Sequence, residues 1–118
     1  MNEYNKENVF YKIWQGALPC DLVAENEFAL AFNDLAPKAK VHVLVIPKGN
    51  FVAFDDFITV ANVGQIVGFY SLVRHVIIVK NLTETGFKLI SRRGCDGGQE
   101  IPHFHVHVLG GERVVDVP

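Results

Sequence analysis

The residues best suited to chemistry in this 118-residue chain sit in one short run, His103-Phe104-His105-Val106-His107, which holds three of the five histidines. Side chains alternate along a strand, so His103, His105 and His107 share one face and Phe104, Val106 and Val108 the other, with same-face neighbours ~6.5–7 Å apart. One face reads as core and the other as imidazole. A single histidine such as His42 or His75 is ordinarily a surface residue or a hydrogen-bonded core residue. Three side by side repel one another when charged and lose solvation when buried, a cost that packing alone has no reason to accept.

Two chemistries suit the triplet. Alternate imidazoles on a strand can chelate Zn²⁺ or Fe²⁺, with Asp96 and Glu100 the nearest carboxylates to complete such a site. Alternatively one imidazole is a nucleophile and its neighbours handle protons and charge. That arrangement fits phosphorus-group transfer, whose main demands are positioning and charge stabilisation. A neutral histidine attacks phosphorus without prior deprotonation.

The elements that must hold these residues follow from apolar spacing. Val9, Phe10, Ile13 and Trp14 mark one face of a short helix ended by Gly16 and Pro19. Leu22-Val23-Ala24 and Phe28-Ala29-Leu30-Ala31-Phe32, separated by Glu25-Asn26-Glu27 and closed by Asn33-Asp34, predict a hairpin. Val41 to Ile46, stopped by Pro47-Lys48-Gly49, predicts a third strand buried on both faces, with His42 at its start. From Phe57 to about Leu82 the apolar residues step by three or four, which predicts one long helix. Gly86–Arg92 and His103–Leu109 complete a set of five strands, joined by the Gly-rich loop 94–99. Strands in succession rather than βαβ units make the class α+β with an antiparallel sheet.

Length allows one domain, 1–118, and no repeat or linker divides it. The net charge of −2 supplies no basic surplus for a nucleic acid or an anionic membrane. The longest apolar run, Phe28–Phe32, is far short of the ~20 residues that cross a bilayer. A polar N-terminus without a secretory signal makes the cytoplasm the expected location, and Cys20 and Cys95 are expected as reduced thiols.

The pattern His103-Phe104-His105-Val106-His107-Val108-Leu109 resembles the signature of the histidine triad (HIT) superfamily. The block from Phe32-Asn33-Asp34 through Val41-His42-Val43-Leu44 to Pro47-Lys48, together with Asp96-Gly97-Gly98-Gln99 and Leu109-Gly110-Gly111, is similar to the Hint branch, the nucleoside phosphoramidases. The resemblance covers residues 9–111 approximately. It implies a HIT-like fold that dimerises through the long helix and a strand, burying the apolar stripe of residues 60–77 between two copies. It implies that His105 is the nucleophile and forms a nucleotidyl-histidine, flanked by His103, His107 and His42, which orient it, bind phosphate oxygens and assist departure of an amine.

By the same resemblance Asp34 holds the ribose hydroxyls, and Val9, Phe10, Ile13, Phe32 and Leu44 sandwich a purine. Asn33, Arg92 and Gln99 complete the nucleotide-binding set, Gln99 beside the Gly97-Gly98 turn near the phosphate. The implied substrate is a purine nucleoside 5′-phosphoramidate of the AMP or GMP type. A dinucleoside polyphosphate hydrolase and a nucleotide-binding interaction module with little turnover are the alternatives.

Departures from the branch bear on detail. Arg92-Arg93 replaces an Asn followed by an acidic or small residue, so a guanidinium either strengthens oxyanion binding or projects into solvent. Glu100 removes a serine contact to the leaving group. The tail 112–118 lacks the tryptophan-containing end of some members. The paired N-terminal cysteines of some zinc-containing relatives do not precede Cys20, so zinc is not expected, and the resemblance implies no cofactor.

Overall fold

The computed structural model describes residues 3–115, leaving the end of the tail, 116–118, outside the described residues. Its elements run α1 (Val9–Trp14), β1 (Leu22–Glu25), β2 (Ala29–Asn33), β3 (Val41–Pro47), α2 (Phe54–Val60), α3 (Val63–Val79), β4 (Phe87–Ile90), α4 (Gly94–Gly97) and β5 (Val106–Gly110). Five strands form one antiparallel sheet in the order β1-β2-β3-β5-β4. The α+β class and five-stranded antiparallel sheet are as expected.

Local chemistry starts and stops these elements. Asn8 caps α1 by accepting from the Tyr11 N–H at 2.8 Å, satisfying a donor that the helix itself leaves free. In the β1–β2 turn the Asn26 side-chain oxygen accepts from Phe28 N and Ala29 N at 2.8 and 2.9 Å, while its amide donates to the Gly68 carbonyl at 2.9 Å. That bond ties the hairpin to α3. A Cβ at Gly68 would lie 2.2 Å from the Phe28 ring, so only glycine lets the helix come this close.

The central strands are buried on both faces because each faces two cores. Ala29, Ala31, Val43 and Val45 pack with Phe57, Phe69, Val73 and Val76 of the helices and with Phe104, Val106 and Val108. Their alternates Leu30, Phe32, Leu44 and Ile46 pack on the opposite side with Phe10, Ile13 and Trp14 of α1. The helical layer therefore carries the main core, and the opposite face is left to α1 and the site.

Several boundaries differ from the sequence reading. The single helix expected from Phe57 is two: Ala61 is extended, and Asn62 and Gln65 form a reciprocal capping box that starts α3 anew. The second helix ends at Val79, short of Leu82. The segment His103–His105 is not part of β5, because the Phe104 N–H bonds to the Phe51 carbonyl at 2.7 Å and the His103 N–H to Ile101. The fourth strand likewise shortens to four residues, and the Gly-rich loop contains one helical turn.

Candidate active site

On the α1 side of the sheet a cavity of about 650 Å³ opens to solvent. One end is apolar, formed by Val9, Phe10 and Ile13 of α1 with Phe32 and Leu44 of the sheet and by Pro19, Cys20 and Ile101. The other end gathers His42, His105, His107, Asp34 and Arg92, with Lys38, Gly98 and Glu100 beside them. The strands bring this about directly: Leu44 of β3 lies opposite His107 of β5, and His42 opposite Leu109. Asn33 also lines the cavity, its amide donating to the Asp21 carboxylate at 2.9 Å.

The histidines form two hydrogen-bonded series whose directions can be assigned from their fixed ends. Lys38 N–H donates to His42 Nδ1 at 3.0 Å, so in the neutral ring the proton sits on Nε2. His42 Nε2–H then donates to His107 Nδ1 at 2.9 Å, which leaves His107 with its own Nε2–H as a donor. In the second series His105 Nδ1–H donates to the His103 carbonyl at 2.7 Å. A carbonyl can only accept, so His105 Nε2 carries the lone pair. The result is one imidazole with a nucleophilic nitrogen next to another with a donor, ring centroids 5.0 Å apart.

Burial keeps all four rings neutral near pH 7. It pushes His103 down to about 4, with the Pro47 carbonyl opposing and His105 adding to the effect. Burial, then the neighbouring His105 and His42 and the Arg92 guanidinium, brings His107 to about 4 as well. His105 is lowered by burial, against its bond to the His103 carbonyl, and Arg92 lowers it further. His42 is lowered by burial despite the opposing Asp34 carboxylate, which lies 3.4 Å from its Nε2. The Asp34 Oδ1 also accepts from Ala36 N at 2.8 Å and so closes the turn after β2.

Among the described residues one group has metal-ligand composition: Asp34, His42 and His107, with ligand atoms within 4.8 Å of one another. The hydrogen bonds argue against its use for a cation. Ligation through His42 Nε2 would require the proton on Nδ1, where it would face the Lys38 N–H, donor against donor. The sequence reading of His103, His105 and His107 as alternate ligands fares no better, since His103 is wholly buried and its Nε2 is committed to the Pro47 carbonyl at 3.0 Å.

The site thus collects His42, His105, His107, Val9, Phe10, Ile13, Phe32, Asn33, Asp34, Leu44 and Arg92 around one cavity, and leaves His103 and Gln99 out of its lining. Gln99 is a staple. Its oxygen accepts from Gly94 N at 3.0 Å and its amide donates to the Val52 and Ile101 carbonyls at 2.7 and 3.1 Å, which shapes the Gly-rich loop. Arg93 pairs with Asp55 and Asp56 of α2, both at 3.1 Å, whereas Arg92 turns to the cavity. Sequence reasoning missed Cys20 and Ile101 in the apolar wall and Tyr4 on His103, none of which carries a spacing signal.

A family model described as the HIT domain matches residues 15–114. The chain belongs to the HIT family. It is 41% identical over 112 residues to an uncharacterized HIT-like protein of Rickettsia prowazekii (strain Madrid E), covering 95% of this chain and 93% of that one. Among solved structures, a histidine triad protein from Clostridium difficile superposes with a TM-score of 0.85 at 33% identity, covering all of both chains. A HIT family hydrolase from Clostridium thermocellum gives a TM-score of 0.83 at 32% identity, covering 96% of this chain and 97% of that one. Within the run of three histidines His107 belongs to a strand, and His103 and His105 to the segment that feeds it.

Proposed function

We propose that this HIT protein hydrolyses purine nucleoside 5′-phosphoramidates of the AMP-amine type through a nucleotidyl-His105 intermediate. The observation that carries the reading is the tautomer of His105: its Nδ1–H is held by the His103 carbonyl, and its lone pair on Nε2 faces a cavity whose far end is an apolar slot. The Clostridium thermocellum relative, described as a HIT family hydrolase, supports a hydrolytic role.

In the first step His105 Nε2 bonds to phosphorus and the P–N bond to the amine breaks, the amine leaving with a proton drawn from water. His107 Nε2–H and Arg92 stabilise the charge on the phosphate oxygens. In the second step water attacks phosphorus, the bond to His105 breaks, and the nucleoside monophosphate leaves as a proton returns to solvent. Asp34 accepts from the ribose hydroxyls, and the purine lies between Val9, Phe10, Ile13, Phe32 and Leu44. No metal or cofactor enters either step. We place this activity in the Hint-like branch, in the cytoplasm and in a homodimer. The exposed Val63 and Val67 of α3 and the exposed Phe87 and Leu89 of the edge strand β4 suit a two-fold contact. No helix among the described residues is long and apolar enough to cross a membrane.

Arg92 and Lys38 at the polar end favour a second reading, cleavage of a dinucleoside polyphosphate, whose leaving group is itself anionic. The test is steady-state turnover of an adenosine 5′-phosphoramidate and of a dinucleoside polyphosphate by wild type and His105→Ala, with and without EDTA. The expected result is EDTA-insensitive phosphoramidate turnover that vanishes in His105→Ala while AMP still binds. Near-normal turnover in the variant would remove His105 from the chemistry.

A further inference from the structure

His103 is fully buried, yet the sequence groups it with the reacting histidines. Each of its polar atoms is committed within the protein. The backbone N–H goes to Ile101, Nε2–H goes to the Pro47 carbonyl at the end of β3, and the carbonyl receives His105 Nδ1–H. Because Nε2 carries the proton, Nδ1 must accept, and the hydroxyl of Tyr4 donates to it across 99 residues of sequence. Nothing of His103 remains to touch a substrate.

We infer that Tyr4 is a positioning residue of this site, its hydroxyl locking the His103 ring so that the His103 carbonyl holds the nucleophile in its reactive tautomer. The inference rests on His105 being the nucleophile proposed above. The geometry around Tyr4 is built for this purpose. Its ring meets His103 edge-on at 5.5 Å, and Phe10 at 6.3 Å and Trp14 at 6.4 Å from the His103 ring close the remaining sides of that imidazole. Asn5 and Asn8 hold the segment behind it: Asn8 Nδ2 donates to the Asn5 carbonyl at 2.8 Å, and the Glu7 N–H to the Asn5 side chain at 2.8 Å. The same Asn8 caps α1, so the segment that carries Tyr4 and the helix that carries Phe10 and Ile13 are set by one residue. Partial burial raises the Tyr4 hydroxyl above its ordinary range, which keeps it a proton donor throughout the neutral region.

A neutral histidine in water modestly favours the Nε2–H tautomer, so the His103 carbonyl is what tips His105 to the Nδ1–H form. Without the Tyr4 hydroxyl, His103 Nδ1 is buried and unpaired, and the ring gains a reason to turn. The 103–105 segment lies outside the sheet ladder and is held instead by the Phe104 N–H on the Phe51 carbonyl, by the buried Phe104 ring and by the bonds of the His103 ring.

The test compares wild type, Tyr4→Phe and Tyr11→Phe, the last removing a neighbouring tyrosine hydroxyl outside this bond. Two-bond ¹⁵N–¹H spectra at pH 7.5, without substrate, read the tautomers. Wild type should show His105 as Nδ1–H and His103 as Nε2–H with a hydrogen-bonded Nδ1; any other pattern overturns the inference without recourse to a variant. In Tyr4→Phe the His105 signal should move toward a mixture of both tautomers. With the phosphoramidate, Tyr4→Phe should lose about tenfold in kcat with KM within about twofold, the signature of a misaligned reacting group rather than weaker binding. An unchanged kcat, or an equal loss in Tyr11→Phe, would refute the role of Tyr4. If wild type turns over no phosphoramidate, the proposed reaction fails, while the tautomer spectra still decide the positioning of His105.

Discussion

Mild acid should destabilise this protein well before its carboxylates matter, and the size of the effect follows from one buried and one half-buried ring. His103 and His107 both titrate at about 4 in the folded chain, against 6.5 for an ordinary histidine. Between those values the unfolded chain binds protons that the native one refuses. Stability therefore rises with pH across the window and falls as pH is lowered through it. At pH 5 each ring contributes a loss of about 2 kcal/mol relative to pH 7.5. Together they remove at most about 4 kcal/mol, because solvent screens the half-buried His107, and even that reduced loss is a large part of the ~5–15 kcal/mol that a domain of this size possesses. His42 and His105, also lowered by burial, act in the same direction. Urea denaturation at pH 7.5, 6.5, 5.5 and 5.0 measures the slope, and His103→Gln, which keeps a donor and an acceptor, should remove about half of it. A flat profile between pH 7.5 and 5 would mean that the rings are solvated or charged in the native state, and the tautomer assignments would fall with it.

Two further substitutions separate scaffold from site. Gly68→Ala should destabilise by about 1–3 kcal/mol, because the new Cβ meets the Phe28 ring at its Cβ end, where the side chain cannot swing away; equilibrium unfolding reads this, and phosphoramidate turnover of the folded fraction should be normal. Ile13→Ala, on the half-buried edge of the apolar slot, should raise KM about tenfold with kcat little changed, since a base contact serves ground state and transition state alike.

Much of the fold was legible because its signals are local. The short helix at Val9–Trp14 appears where the apolar spacing and the Gly16 stop put it, and the hairpin and third strand lie within a residue of the expected bounds. The long helix misled for an equally local reason. Val60 and Val63 keep the helical spacing across a break made by the side chains of Asn62 and Gln65, and a hydrophobic pattern is blind to a capping box. The His103–Leu109 strand misled because period-two alternation records only that a segment is extended. Whether its backbone joins a ladder depends on which carbonyl is near, and for Phe104 that carbonyl belongs to Phe51.

By itself the sequence determined the antiparallel α+β layout, because residue type and spacing encode which face of each element is apolar and which carries imidazole, and its resemblance to the HIT signature pointed to the family and to the residues expected at one cavity. It could not say that the three histidines of one run have different fates. That depends on groups distant in the chain: Lys38 N–H sets the proton on His42 and through it the donor on His107, while Pro47 and Tyr4 bind up His103. A neutral imidazole has two tautomers of nearly equal energy, so its chemistry is chosen by whichever neighbour the fold brings to each nitrogen. Only the tertiary structure makes that choice, and here it makes His105 the ring with a free lone pair.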